Sequence, residues 1–493
     1  MGMLKSIRIQ NFKCFEDSAN IEIKPLTILC GINSSGKSSI LKSLLMLKQS
    51  YENIQVTNSA TLNGKYTNNG SMNDVIYNQK GDTFSVTTSF VFHEPPVYKK
   101  GSNLRLDKQN IAVFKELAKL LKLGKFPGEI FMSVALEIAN IEEMNTSSNV
   151  IKRIEVGINS SSMKPLKIIL QKSRDMSNRD YTIELYNFIN TKDNIETDNI
   201  EFLKLDGCAC YFEGMKLVNI YKENWKYANI FSDIYSIMRC VARAYSSIKH
   251  ISPLRVEPSR YNIYDEECLN IGENGENVVQ VIESMKKRII NVISPPINDR
   301  LSIAQKTFNF YDVFRLWTEY IGIRNITTQV DKELLKLSID KHNIADTGFG
   351  VSQVLPIVVE GLLLQDSQTL LIEQPEIHLH PKMQMNITDF LIASTMGNKN
   401  IIIETHSDHI INRVVRRIME DKSDTLKNRI VIYFIDKDIE TGKSKIAGSI
   451  EINKYKGIVN APEEFFSQFA SETEKIVSIA FNNLKENNFK FED

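Results

Sequence analysis

The sequence predicts an α/β fold built on a mainly parallel sheet, with antiparallel strands near the N-terminus and an inserted α+β region. Three observations carry that expectation. In the C-terminal part, runs that are apolar throughout (TLLIE, NIIIE, RIVIYFI) alternate with helix-like stretches, the pattern of strands covered on both faces. Near the N-terminus, ILC leads through a glycine-containing loop into SSILKSLLMLKQS, whose apolar residues recur at helical spacing. In the middle, short segments alternate apolar and polar residues between polar turns, as antiparallel strands do.

Taken in order, LKSIRIQNF and ANIEIKPLTILC read as strands. Residues 51–80, rich in Asn, Ser, Thr and Gly, read as loops before the strand DTFSVTTSFVF, and a first unit is expected over 1–95. The region 96–245 then holds the helix NIAVFKELAKLLKL and the alternating runs MSVALEIA, VIKRIEVGIN, PLKIILQ and YTIELYNFI. An Asn- and Asp-rich connector, NTKDNIETDN, and the long helix NIFSDIYSIMRCVARAYSSI follow. Residues 246–460 supply ISPLRVEPSRY, the strand LLKLSID, the glycine-rich DTGFG, the helix VSQVLPIVVEGLLL and the apolar strands. Residues 461–493 read as a terminal helix. The two ends of the chain are expected to complete one sheet, and no sustained heptad pattern announces a coiled-coil arm.

Charge excludes some partners. Lys+Arg and Asp+Glu both total 60, so no net field draws the whole molecule to nucleic acid or membrane, and any DNA contact must come from a local patch. Of the six cysteines only Cys208 and Cys210 are close, in a C-x-C pair lacking the second half of a zinc site. Reduced thiols in a cytoplasmic protein are expected. The N-terminus MGMLKSIRIQNFK has no apolar core with a cleavage site, and no window of about 18 apolar residues follows, so no membrane association is expected.

The chemistry sits in a few stretches. Gly31, Gly36, Lys37 and Ser38 fit G-x-x-x-x-G-K-[ST] between a strand and a helix, the context in which such a loop wraps phosphate. Backbone amides of Gly31, Asn33, Ser34, Ser35, Gly36 and Ser39 would line the anion, Lys37 would reach the β and γ phosphates, and Ser38 would ligate magnesium. The strand of TLLIEQPEIHLHP ends in Glu373, as a metal-side acidic strand must. IIIETHSDH is a second apolar strand, ending near His406. The pattern implies a site for a nucleoside triphosphate with Mg2+.

These motifs, with TGFGVSQ, resemble in kind and order those of the RecF/SMC-like branch of ABC-type ATPases. In particular, they resemble those of the single-chain bacterial members with a P-E-I-H-L-H-P and E-T-H-S pair. Such members include the ATPases of overcoming-lysogenization-defect nucleases and of Septu-type anti-phage systems. The resemblance covers residues 1 to about 95 and about 335 to 460. It implies that Gly350 and Ser352 contact the γ-phosphate held by another copy's loop, in a head-to-tail dimer or a multiple of it. It implies that His406 senses the same phosphate and that Lys13 approaches the nucleotide. A glutamine of a lobe-connecting loop is expected between residues 49 and 95, with Gln79 as the candidate. Relatives carry Asp-Glu-Pro-Glu where this chain has Glu373-Gln374-Pro375-Glu376. Glu373 then stands for the magnesium-linked aspartate, and Gln374 for the catalytic glutamate. An amide orients water but does not take its proton, so either turnover is slow or Glu376 or a nearby histidine supplies the base.

By analogy the chain would be the ATPase subunit of an anti-phage system that controls a separately encoded effector, such as a nuclease. A RecF-like repair ATPase and a nucleotide-stabilised scaffold are the competing readings. His378 and His380 read as structural rather than as metal ligands. Arg413, Arg416 and Arg417 read as a solvated helix face, with phosphate or DNA contact as the alternative. Arg255 and Arg260 in PLRVEPSRY suit either surface pairing or contacts near nucleotide. Asp436 and Asp438 read as turn residues, so no nuclease centre is expected in this chain.

Overall fold

In the computed structural model the described residues are 2–53, 59–93, 108–121, 129–143, 146–161, 163–173, 180–189, 199–223, 225–257, 259–265, 267–438, 440–460 and 478–479. Apart from residues 478–479, the helix expected over 461–493 therefore lies outside the described residues.

The functional half is assembled from strand β1 (Leu26–Gly31), helix α1 (Lys37–Glu52), strand β2 (Lys249–Ile251) and helix α2 (Phe349–Leu363). It continues with strand β3 (Thr369–Glu373), helix α3 (Pro381–Ser394), strand β4 (Asn400–Glu404), helix α4 (Asp408–Glu420), and strands β5 (Ile430–Lys437) and β6 (Ser444–Ser449). The sheet runs β2-β3-β4-β1-β5-β6, parallel except for β6. The N-terminal strand thus lies between two C-terminal strands, and the two ends of the chain do complete one sheet.

Strands β1, β3, β4 and β5 are buried along nearly their whole length because both faces are covered. Leu29, Leu371, Ile402, Val431 and Tyr433 enter one core, whereas Leu26, Ile28, Leu370, Ile372, Ile401, Ile403, Ile430 and Ile432 enter the other. Alternate side chains of a strand point to opposite faces, so every position meets apolar neighbours. The first core also holds α1, the helix Ala228–Ser246 and one face of a large antiparallel sheet. The second holds α2, α3 and the helix Phe310–Ile321, whose Trp317 is 1% exposed.

The antiparallel sheet contains ten strands among the described residues. It runs from Phe15–Asp17 through Met3–Phe12, Thr83–His93, Glu129–Glu143, Thr146–Ser160, Met163–Lys172, Asp180–Ile189 and Asn199–Glu213 to Lys216–Tyr221. Thr83–His93 pairs with Met3–Phe12 on one side and Glu129–Glu143 on the other. The strands on either side of residue 95 therefore belong to one continuous sheet.

Two details differ from the sequence expectation. Leu334–Ile339, expected beside the parallel strands, pairs antiparallel with Ile326–Asp331 in a separate small sheet. Its burial alternates along the chain, because only one face meets the core. Asn199–Glu213 and Lys216–Tyr221 are strands that the polar connector before them obscured.

Candidate functional site

The turn after β1 is shaped by its glycines. Gly31 has φ +141, and a Cβ there would lie 2.0 Å from the Ile435 carbonyl oxygen of β5. Gly36 has φ +103, and a Cβ would lie 2.5 Å from Cys14 Sγ and 2.8 Å from Phe15 Cε2. Only glycine satisfies both the backbone and the space. Ser34, at φ +61, completes the curl. Gly36 is the N-cap of α1 and offers no side-chain cap. The first-turn amides and the positive end of the helix are therefore left for an anion.

A cavity of about 320 Å³ opens on this turn, at the lower end of the range of small-molecule sites. Lys13, Cys14, Ser34, Gly36, Lys37, Ser38, Ser39, Gln374, Glu404 and His406 line it. Four separate stretches of sequence therefore converge on one space. Asn33 is exposed at the tip of the turn, and Ser35 is fully buried with a hydroxyl that lacks a partner among the described residues.

Lys37 Nζ donates to the carbonyl oxygens of Gly31 (3.0 Å) and Ile32 (2.6 Å), so the ammonium is folded back onto its own loop. Burial lowers its pKa from the ordinary lysine value, with Glu404 and Glu376 opposing. Lys13, at φ +51, is shifted down by burial and then by Lys42. An incoming phosphate would meet two cations short of counter-charge.

The acidic side is supplied by neighbouring strands. Glu373 and Glu404 are in register at the ends of β3 and β4. Ser38 Oγ donates to Glu404 Oε1 at 2.7 Å. Glu373 Oε1 instead lies 2.8 Å from His250 Nε2, and its carbonyl accepts from Arg255 Nη2 at 2.9 Å. Gln374, at φ +45, is fixed by its N–H donating to the Glu404 carbonyl (2.8 Å) and faces the cavity. Glu376 Oε1 accepts from the His406 N–H at 2.7 Å. Burial raises the pKa of Glu376 and of Glu404 above the ordinary carboxylate range. Burial, then Lys37, lowers that of His406, which favours the neutral imidazole.

Gly350 and Ser352 do not reach this cavity. The start of α2 packs on the segment after β3, where a Cβ on Gly350 would come within 2.7 Å of the His378 carbonyl oxygen, and Ser352 is 6% exposed. Gln79 is exposed and does not line the cavity. His380 Nδ1 accepts from Lys382 N–H (3.3 Å) as the N-cap of α3.

Sequence reasoning missed two groups, Glu404 and His250, and left Arg255 between surface pairing and contacts near nucleotide. Glu404 closes the motif strand β4, and an acidic residue at the end of the apolar run NIIIE was the available signal. His250 and Arg255 come from β2 and the turn after it, and Arg255 is buried rather than at the surface. The Arg255 carbonyl accepts from Gln353 Nε2 (3.4 Å), which links the start of α2 to the end of β3. Arg260 pairs at the surface with Asp346.

The arginine helix needs correction. Arg413 and Arg417 are buried, at 8% and 2% exposure, and Arg417 grips the fully buried Asp389 of α3 through Nε (2.7 Å) and Nη2 (2.8 Å). Arg416 remains exposed, paired with Asp299 and Glu420. Burial excludes Arg413 and Arg417 from a solvated face. Asp438 accepts from the Glu440 and Thr441 amides in the turn after β5, as a turn residue does. All six cysteines are free thiols.

A family model described as the AAA ATPase domain matches residues 3–411. The chain belongs to that family. Its α/β architecture is the one expected, with the phosphate-loop strand inside a mainly parallel sheet. No curated protein matches. Among solved structures, the SMC head domain from Thermotoga maritima is similar over 91% of this chain and 100% of that one, at 12% identity and a TM-score of 0.36. An SMC head bound to the C-terminal winged-helix domain of ScpA matches over 92% and 99%, at 11% identity and a TM-score of 0.42. A third head, with an extended coiled coil and bound to the C-terminal domain of ScpA derived from Pyrococcus furiosus, matches over 92% and 98%, at 10% identity and a TM-score of 0.39. Likeness at this level carries no argument about substrate or partner. Among the described residues no helix is long and apolar enough to cross a membrane.

Proposed function

We propose that the chain binds ATP with Mg2+ at the turn between β1 and α1 and hydrolyses it slowly. In this reading it is the cytoplasmic ATPase subunit of a bacterial anti-phage system that controls a separately encoded effector such as a nuclease. The observation that carries the ATP site is the convergence of Lys13, Lys37, Ser38, Gln374, Glu404 and His406 on one cavity at an uncapped helix start. The defence role rests on the motif resemblance alone.

In this reading the amides of Gly31 to Ser39 hold the phosphates, and Lys37 leaves its loop carbonyls for the β and γ oxygens. The residues fit a divalent cation beside Ser38. Glu404 Oε2 is buried and has no partner among the described residues, and an orphaned carboxylate oxygen calls for a cation. A magnesium ion held there by Ser38 and a nearby carboxylate would supply charge neutralisation to the phosphates. Gln374 orients the attacking water without taking its proton, and Glu376, held by the His406 amide, is the nearby carboxylate suited to act as base. His406, as a neutral imidazole, donates towards the γ-phosphate. Gly350 and Ser352 meet that phosphate from a second copy, consistent with their position outside this chain's own cavity.

Sedimentation velocity with ATP and Mg2+ tests the second copy. A Cβ on Gly348 meets nothing within 4 Å, so Gly348→Arg places a bulky charge on the turn before α2 without displacing its own chain. Wild type should dimerise with ATP, and the variant should bind ATP yet stay monomeric. A wild type that stays monomeric with bound ATP, or a variant that dimerises equally well, contradicts the arrangement. Purification of the complex from cells, with partners identified by mass, tests the effector.

A further inference from the structure

We propose that Glu404, and not Glu373, is the carboxylate that meets the divalent cation beside Ser38. The proposal rests on the nucleotide site proposed above and assigns its metal side to a residue outside the expected acidic motif.

Geometry separates the two carboxylates. Glu404 lies 4% exposed in the cavity wall, with Oε1 accepting from Ser38 Oγ at 2.7 Å and Oε2 left without a partner. Glu373 ends the adjacent strand in the same register but does not line the cavity, and its Oε1 is taken by His250 Nε2 at 2.8 Å. His250 is itself buried at 7%, so this pair is fixed within the protein.

Electrostatics point the same way. A buried carboxylate with one bare oxygen is costly unless a cation or donor completes it. Lys37 does not complete it, because its ammonium is spent on the Gly31 and Ile32 carbonyls. Among the described residues no group of three or more His, Cys, Asp or Glu forms a ready-made metal cage. Magnesium held by phosphate oxygens and water needs only one or two protein groups, and Ser38 with Glu404 supplies them.

The test is the gain in ATP affinity on adding Mn2+ in place of EDTA, measured by calorimetry on the full chain. Glu404→Gln preserves shape and still accepts from Ser38. It should reduce the metal-dependent gain by about tenfold or more, the scale seen when groups supporting a metal are removed. Affinity in EDTA should be unchanged or higher, since a negative charge near the phosphates is lost. Glu373→Gln should retain most of the gain. Glu404→Asp, which keeps the charge but shortens the reach, should fall between wild type and Glu404→Gln, and it decides the matter if the glutamine variant unfolds. A full gain in Glu404→Gln, or an equal or larger loss in Glu373→Gln, overturns the proposal alone. A wild type that binds no ATP in either condition overturns the nucleotide site and this assignment together.

Discussion

Replacing Arg417 by methionine should destabilise the protein without touching nucleotide chemistry. Asp389 is fully buried and receives two hydrogen bonds from the Arg417 guanidinium. Once Arg417 is gone, it retains the Tyr320 hydroxyl at 2.6 Å and the more distant Arg413 Nη1 at 3.8 Å. Breaking one side of a buried ion pair costs about 3–5 kcal/mol, because the remaining charge stays desolvated. At roughly 2.1 cal/mol/K per residue, the 493 residues carry an unfolding entropy of about 1 kcal/mol/K, so a single cooperative transition should fall by about 3–5 °C. Thermal unfolding followed by circular dichroism reads this directly. The double variant Arg417→Met/Asp389→Leu should recover part of the loss, since the Asp389 charge is then no longer buried and Arg413 keeps Asp299 at 3.6 Å. If Arg417→Met melts with wild type while binding DNA more weakly, the arginine is a nucleic-acid contact and the packing argument is wrong.

Three further outcomes follow from the same geometry. Gln374→Glu should speed ATP turnover, because a carboxylate facing the cavity can take the water's proton; unchanged turnover in single-turnover assays counts against that role. Gly31→Ala should lower both stability and ATP affinity, since its Cβ would sit 2.0 Å from the Ile435 carbonyl at φ +141; a variant melting like wild type contradicts the fit of this turn against β5. His380→Ala should cost about 0.5–2 kcal/mol of stability by uncapping α3 and leave ATP affinity unaltered, which a denaturant series with parallel calorimetry would check.

What was legible in the sequence follows physical lines. Strands β1, β3, β4 and β5 announced themselves because burial on both faces leaves a nearly unbroken apolar run, and the phosphate loop because its glycines are sterically forced. Leu334–Ile339 was misplaced although its alternation already marked a strand covered on one face only. The three-residue β2 is too short for any periodicity to show, so His250 could not be placed beside Glu373, 123 residues away. Arg413 and Arg417 lie on the same face as Val414 and Ile418, and charge argued for solvent. Their buried partner, Asp389, sits 28 residues from Arg417 with nothing in the local sequence to connect them. Side-chain pairing across elements is a property of the assembled fold, and that is where reading from the chain stopped.

The most direct measurement is calorimetric titration of the full chain with ATP and Mg2+, comparing wild type with Lys37→Ala at matched thermal stability. Saturable binding in wild type, abolished or strongly weakened in the variant, is the predicted result. Equal binding by both proteins, or none by wild type, would contradict a nucleotide site at the turn between β1 and α1.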